Sequence, residues 1–260
     1  MTEQIDLTWY GFNWQCCMEG GRIIHPDKPW VWYDIDCVDI ITKPQQPDIL
    51  QLDLKPYEGE VTDYQGTFEP QYGGGLIRSV DVFSYGTFLA EIMLPKGKGL
   101  WPSFWLCGEG EWPDNGEIDV MEGYTDHCCF RLFTPYFPWI NPSWTTTTNV
   151  HYKSWTITTN VHDKLFGIHK EIKPRSVSIF KQPYQPNNNW IKYEVKWTPD
   201  EIVFLIDGRV VRKDTEAVKW FSKPNSRMRV IFNCLCANPE ENKVSIDRPM
   251  YVRNFKYQPL

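Results

Sequence analysis

In the segment Gly116-Glu117-Ile118-Asp119-Val120-Met121-Glu122-Gly123 three carboxylates fall within six residues of an otherwise apolar run. Water-facing charge alone explains this poorly, because the positions between the acids are Ile118, Val120 and Met121. In a regular strand Glu117 and Asp119 share one face, while Glu122 points the other way. A β-bulge at Val120 or Met121 returns Glu122 to the face of the other two. Three carboxylates crowded together cannot all ionise cheaply, so at least one is expected to hold a proton at neutral pH. One ionised nucleophile and one protonated acid, about 5 to 5.5 Å apart, are what retaining hydrolysis of a glycosidic bond requires. By spacing alone a calcium site or a merely polar strand fits equally well.

The surroundings favour the catalytic reading. Trp101, Trp105 and Trp112 stand just upstream. The first two are four residues apart, hence on one face of a regular strand, where their rings could stack against sugar faces. Aromatic residues make up 15% of the chain, a surplus that a sandwich core alone would not absorb. One of Phe104 and Trp105 must nevertheless face inward.

Strand signals dominate the elements that would hold these residues. Ile191, Tyr193, Val195 and Trp197 alternate with Lys192, Glu194 and Lys196, the period of a half-buried antiparallel strand. Glu201 to Ile206, the turn pair Asp207-Gly208 and Arg209 to Arg212 read as a hairpin. Further strands are predicted at Leu76 to Phe83, Phe88 to Leu94, Ser103 to Cys107, Glu117 to Glu122, Cys129 to Phe133, Ser154 to Val161, Met228 to Cys234 and Tyr251 to Tyr257. Only Thr215 to Phe221 reads as a short helix. Twenty prolines and 17 glycines punctuate these runs, with no linker between two composition regimes. The pattern predicts an all-β, two-sheet antiparallel sandwich of 260 residues, one domain, with a concave face for an extended ligand.

A formal net charge of -6, with no Lys or Arg run longer than two residues, argues against nucleic acid and anionic membrane surfaces as partners. No window is apolar enough to span a bilayer, and the first residues lack a signal-peptide pattern. Localisation is left open on that basis. The eight cysteines form no CxxC pair. They are expected to be mostly free, buried thiols, with one or more disulfides as the alternative.

The sequence resembles glycoside hydrolase family 16 through Tyr85-Gly86, the run Leu94-Pro95-Lys96-Gly97-Lys98-Gly99-Leu100-Trp101-Pro102-Ser103-Phe104-Trp105-Leu106, Trp112-Pro113, and Asn115-Gly116 leading into Glu117, Asp119 and Glu122. Val150-His151-Tyr152, Tyr193 to Asp200, Asp207-Gly208 and Tyr251-Val252-Arg253 also look like family elements. Residues 1–72 match only loosely and read as a divergent part of the same domain. The resemblance implies a β-jelly roll and retaining endo-hydrolysis of β-linked glycan by a monomer. Glu117 would be the nucleophile, Glu122 the acid and base, and Asp119 the group between them. Trp101, Trp105, Trp112 and His151 would contact the sugar.

The chain departs from the family's pattern in places. Glu91 and Met93 stand where Arg and Lys are usual, altering the charge of the convex sheet. Met250 replaces the aspartate that commonly binds a structural calcium, so no cofactor or metal is expected and calcium is doubtful. The glycine pair that usually follows the last inner strand is absent after Ile231-Phe232-Asn233. The six-residue ExDxxE form is similar to laminarinases, agarases, porphyranases and carrageenases, and the Trp112-Pro113 element favours β-1,3-glucan. Marine galactans (agarose, porphyran, carrageenan), for which Arg78, His127 and Arg131 could supply positive charge, and β-1,3-1,4-glucan are the alternatives. A non-catalytic carbohydrate-binding jelly roll is the rival of another class.

Overall fold

A computed structural model describes residues 5–19, 21–23, 30–110, 116–123, 190–215, 227–236 and 244–260 with their side chains, and the backbone alone of 127–133, 143–151, 154–163 and 168–175. Within them the chain is almost entirely extended. The N-terminal third holds β1 (Leu7–Trp9), β2 (Phe12–Gln15), β3 (Val31–Tyr33), β4 (Val38–Ile41), β5 (Ile49–Leu52), β6 (Leu54–Pro56), β7 (Val61–Asp63), β8 (Gly66–Phe68) and β9 (Tyr72–Ser79). Next come β10 (Gly86–Met93), β11 (Lys96–Lys98), β12 (Leu100–Gly108), β13 (Glu117–Gly123), β14 (His127–Phe133), β15 (Ser143–His151), β16 (Ser154–Asp163) and β17 (Ile168–Arg175). The chain closes with β18 (Ile191–Trp197), β19 (Ile202–Ile206), β20 (Arg209–Asp214), β21 (Met228–Cys236), β22 (Ser245–Arg248) and β23 (Met250–Pro259).

Two sheets carry the fold, antiparallel throughout except where β3 pairs in parallel with β9. One runs β1-β2-β9-β21-β12-β13-β14-β15-β16-β17, with β3 and β6 also on β9; the other runs β20-β19-β18-β10-β23-β5-β4. Strand β10 shows why they stack: Phe88, Ala90 and Ile92 are buried while Thr87, Leu89, Glu91 and Met93 are half-exposed. Between the sheets Phe88, Tyr193, Val195, Trp197 and Phe255 of the second meet Phe104, Ile118 and Phe232 of the first in one core. Phe104 and Phe232, directly paired across β12 and β21, stack at 4.6 Å. Asp207 and Gly208 both take positive φ, which gives the predicted hairpin its turn.

The N-terminal part, only loosely family-like in sequence, joins both sheets. Strand β2 pairs with β9 at Trp14 and Ser79, and β5 pairs with β23 at Leu50 and Val252. Trp9 and Trp14 enter the core, and the Trp14 indole N–H donates to the Trp9 carbonyl at 3.0 Å. The start predicted for β9 at Leu76 is corrected to Tyr72. Gly73, Gly74 and Gly75 read in sequence as punctuation, but they let neighbouring chains approach. A Cβ on Gly74 would lie 2.6 Å from a methyl of Leu235. The helix expected over Thr215 to Phe221 lies, from residue 216 on, outside the described residues.

Cys16, Cys17, Cys37, Cys107, Cys234 and Cys236 are free thiols. Burial pushes Cys16, Cys37 and Cys236 up to about 12, and Cys234 higher still. An unfolded chain ionises its cysteines near pH 8.5. Above that pH the unfolded state therefore binds fewer protons than the folded one, and stability falls as pH rises towards 12. The unfolding temperature should be level from pH 7 to 8 and fall steadily above about pH 9; a level curve to pH 11 would contradict this burial.

Candidate active site

Strand β13 carries the three acids, and its register explains how they come to one face. Against β12, Glu117 lies opposite Cys107, Asp119 opposite Trp105, Met121 opposite Phe104 and Glu122 opposite Ser103, so Val120 is the extra residue. Against β14 the register also shifts between Asp119 and Glu122. The bulge is visible in burial: Ile118, Val120 and Met121 are all fully inside the core between the sheets. Two consecutive inward side chains reset the alternation. Glu117, Asp119 and Glu122 consequently share the face turned away from that core. Glu117 is half-buried, while Asp119 and Glu122 are 5% and 4% exposed.

Strand β12 sets the aromatics on the same face. Phe104 and Leu106 point into the core, which leaves Trp101, Ser103, Trp105 and Cys107 facing the carboxylate side. Trp101 and Trp105 are both half-buried. The Trp101 indole N–H donates to Glu122 Oε1 at 2.7 Å, so this ring fixes a carboxyl as well as offering a surface. Sequence reasoning assigned Trp101 only the second task.

Asn233 is the residue that sequence reasoning missed. It is 3% exposed on β21, opposite Ser103. Its Oδ1 accepts from the Trp105 indole at 2.8 Å, and its Nδ2 donates to the Trp101 carbonyl at 3.0 Å. One amide thus ties both tryptophan positions together. Asparagine inside a strand this apolar was the available signal. Replacing Asn233 with Ala strands a shielded indole N–H and should lower stability by about 1 to 3 kcal/mol. Urea denaturation would check it, and an unchanged midpoint would show that Trp105 holds its orientation without Asn233.

A smaller second core lies on this face beside Trp105. Leu76, Ile231, Leu235 and Cys107 pack there with Val31, Tyr33 and Leu54 of the N-terminal strands. The altered charges lie on the other sheet. Glu91 is opposite Arg253 and pairs with it at 2.8 Å, and the Arg253 guanidinium also lies 4.1 Å from the Trp190 ring centroid. Met250, where the family commonly has aspartate, is fully buried in the core.

The remaining candidates are placed less completely. His151 ends β15, paired with His127 of β14 and Ser154 of β16. Arg131 sits opposite Asp119. Trp112 lies outside the described residues. Among the described residues no group of three or more His, Cys, Asp or Glu could hold a metal ion, and no helix is long and apolar enough to cross a membrane.

Two family models match the chain, an XgeA-like catalytic GH16 domain over residues 75–129 and glycosyl hydrolases family 16 over residues 144–251; together they take in more than half of it. A β-glucanase of Rhodothermus marinus is 28% identical over 186 residues, 69% of this chain and 49% of that protein. The chain thus spans about half the length of that relative. A glycoside hydrolase family 16 endo-glucanase from Bacteroides ovatus shares the fold at a TM-score of 0.57, with 16% identity over 94% of this chain and 93% of that one. Porphyranase B from Zobellia galactanivorans does so at 0.56, with 16% identity over 94% and 85%. The architecture is the family's jelly roll.

Proposed function

Because the chain belongs to glycoside hydrolase family 16, we propose that it is a retaining endo-hydrolase of β-linked glucan, β-1,3-linked in the first instance, working as one catalytic domain. The observation that carries this reading is a single bulged strand that turns Glu117, Asp119 and Glu122 to one face beside Trp101 and Trp105. The N-terminal strands pair into both sheets, which supports one domain over the full 260 residues.

The chemistry assigned to these groups balances in two steps. A Glu117 carboxylate oxygen attacks the anomeric carbon and forms a glycosyl ester, while Glu122 gives its proton to the departing glycosidic oxygen. Glu122, now ionised, takes a proton from water. The water oxygen attacks the same carbon and frees Glu117. Two displacements at one centre return the starting anomeric configuration. Asp119 lies between the two glutamates and orients the nucleophile. Trp101 holds Glu122 through its indole N–H. Trp101 and Trp105, with Trp112 and His151 from the neighbouring segments, bind the sugar rings.

The glucan assignment rests on the Trp112-Pro113 element and on the glucanase relative. Release of reducing ends from laminarin, lichenan, agarose and porphyran tests class and substrate together. Laminarin should be cut fastest, with internal cleavage giving a ladder of oligosaccharides. Faster release from porphyran or agarose would move the assignment to galactans, and release from none of the four would favour the carbohydrate-binding reading.

A further inference from the structure

The nucleophile assigned above stands at the very end of its strand. Glu117 is the first residue of β13, and residues 109–116 join it to Gly108, the last residue of β12. One further rung closes beyond the ladder, the Gly108 amide N–H donating to the Gly116 carbonyl at 3.0 Å. Past that rung the backbone turns, with Gly110 at φ 102° in the left-handed half that favours glycine. Strand ends fray before strand centres do, whereas a displacement of about 1 Å in a reacting group can cost about 10² in rate. Something besides the ladder has to hold this end.

Glu109 meets that need. Its Oε1 accepts from Arg229 Nη2 at 3.2 Å, and its Oε2 lies 3.9 Å from Arg227 Nε. Arg229 is itself nearly buried and tied down, its Nη1 donating to the carbonyls of Ser79 at 3.1 Å and Val80 at 2.6 Å, where β9 ends. By register Arg229 faces Cys107, and Cys107 faces Glu117. The pair thus ties the ends of β9 and β21 to the first residue of the segment that leads into β13. From another side the Gly110 amide N–H donates to Glu19 Oε2 at 3.3 Å, and the Glu19 carbonyl accepts from the Tyr64 hydroxyl at 3.2 Å. An ion pair between two free surface chains contributes little. Here one partner is fixed to the sheet before the other arrives.

Resting on the reading of Glu117 as the nucleophile, we propose that Glu109 is a positioning residue for the reaction. With Arg229 it anchors the segment that enters β13, and so fixes the Glu117 carboxylate for attack at the anomeric carbon. Glu109 transfers no proton in either step. A carboxylate suits the task, because a charge-assisted bond to a guanidinium is stronger than a neutral one and sets a direction. Its loss should register in the step that joins the Glu117 oxygen to carbon more than in stability. Glu109 is 40% exposed, and Arg229 keeps both backbone acceptors without it.

Labelling by a dinitrophenyl 2-deoxy-2-fluoro-β-laminaribioside reads that step alone. The bond from the Glu117 oxygen to carbon forms as dinitrophenolate departs without a proton, and the fluorine slows hydrolysis of the ester so that it accumulates. Glu109→Ala should be labelled at least about tenfold more slowly than wild type and lose a similar factor in kcat on laminarin, with KM within about threefold. Glu109→Gln, which can still accept from Arg229, should be labelled within about threefold of wild type. Glu201→Ala, which removes an ion pair to Lys213 on the other sheet, is the control and should match wild type. Wild-type labelling of Glu109→Ala, or a rise in its KM with kcat unchanged, overturns the inference. So does equal slowing in Glu109→Gln or in Glu201→Ala. Should Glu109→Ala fail to fold, Glu109→Asp replaces it, with labelling at least about threefold slower expected and an unchanged rate overturning. Wild-type protein that takes no label and releases nothing from any glucan would overturn the proposed function itself. Intact wild-type chemistry with an unaffected Glu109→Ala would overturn only the positioning role.

Discussion

Glu117→Gln should leave a folded protein that binds glucan and releases reducing ends at least about 10³-fold more slowly. The side chain keeps its length and its half-buried place on β13, while the hydrogen bonds that hold the sheet there are backbone ones. What disappears is the anionic oxygen that forms the glycosyl ester, and an amide cannot replace it as a nucleophile. The loss should fall on kcat, with substrate affinity within about threefold of wild type. Circular dichroism and the unfolding temperature would show that the fold is intact. Undiminished turnover in this variant would sink the assignment of the strand as catalytic.

Glu122→Gln should fail differently. Glutamine still presents an Oε1 that can accept from the Trp101 indole, so its nearly buried position costs little. Proton transfer to the leaving oxygen is lost, and such transfers contribute about 10² to 10⁴ in rate. With a polysaccharide, whose leaving group needs that proton, hydrolysis should drop by this factor. An aryl glycoside with an acidic phenol leaves without help, so its first step should proceed in a burst while the ester on Glu117 accumulates. Mass spectrometry would detect the added sugar. A variant equally slow in both steps with both substrates would mean that Glu122 positions rather than transfers a proton.

The bulge was legible in the sequence because acids at positions 117, 119 and 122 cannot share a face without it. Asn233 was hidden because one asparagine in β21 carries no spacing signal; its meaning comes from β12, more than 120 residues earlier. The N-terminal strands were hidden for another reason. Strands β1 to β8 are three or four residues long, too short to develop an alternation that separates a strand from a turn.

The bulge at Val120 has a consequence in terms of parity. A strand face depends only on whether the separation between two residues is even, and the bulge converts the odd separation between Asp119 and Glu122 into an even one. Deleting Val120 reaches the same parity by a different route: the strand becomes regular, the acids stay together, and one apolar side chain leaves the core. Insertion and deletion at this point are therefore nearly interchangeable for the chemistry and differ mainly in the volume of the interior. The length of the acidic motif is a packing variable, which the two sheets can adjust without moving the reaction to another face.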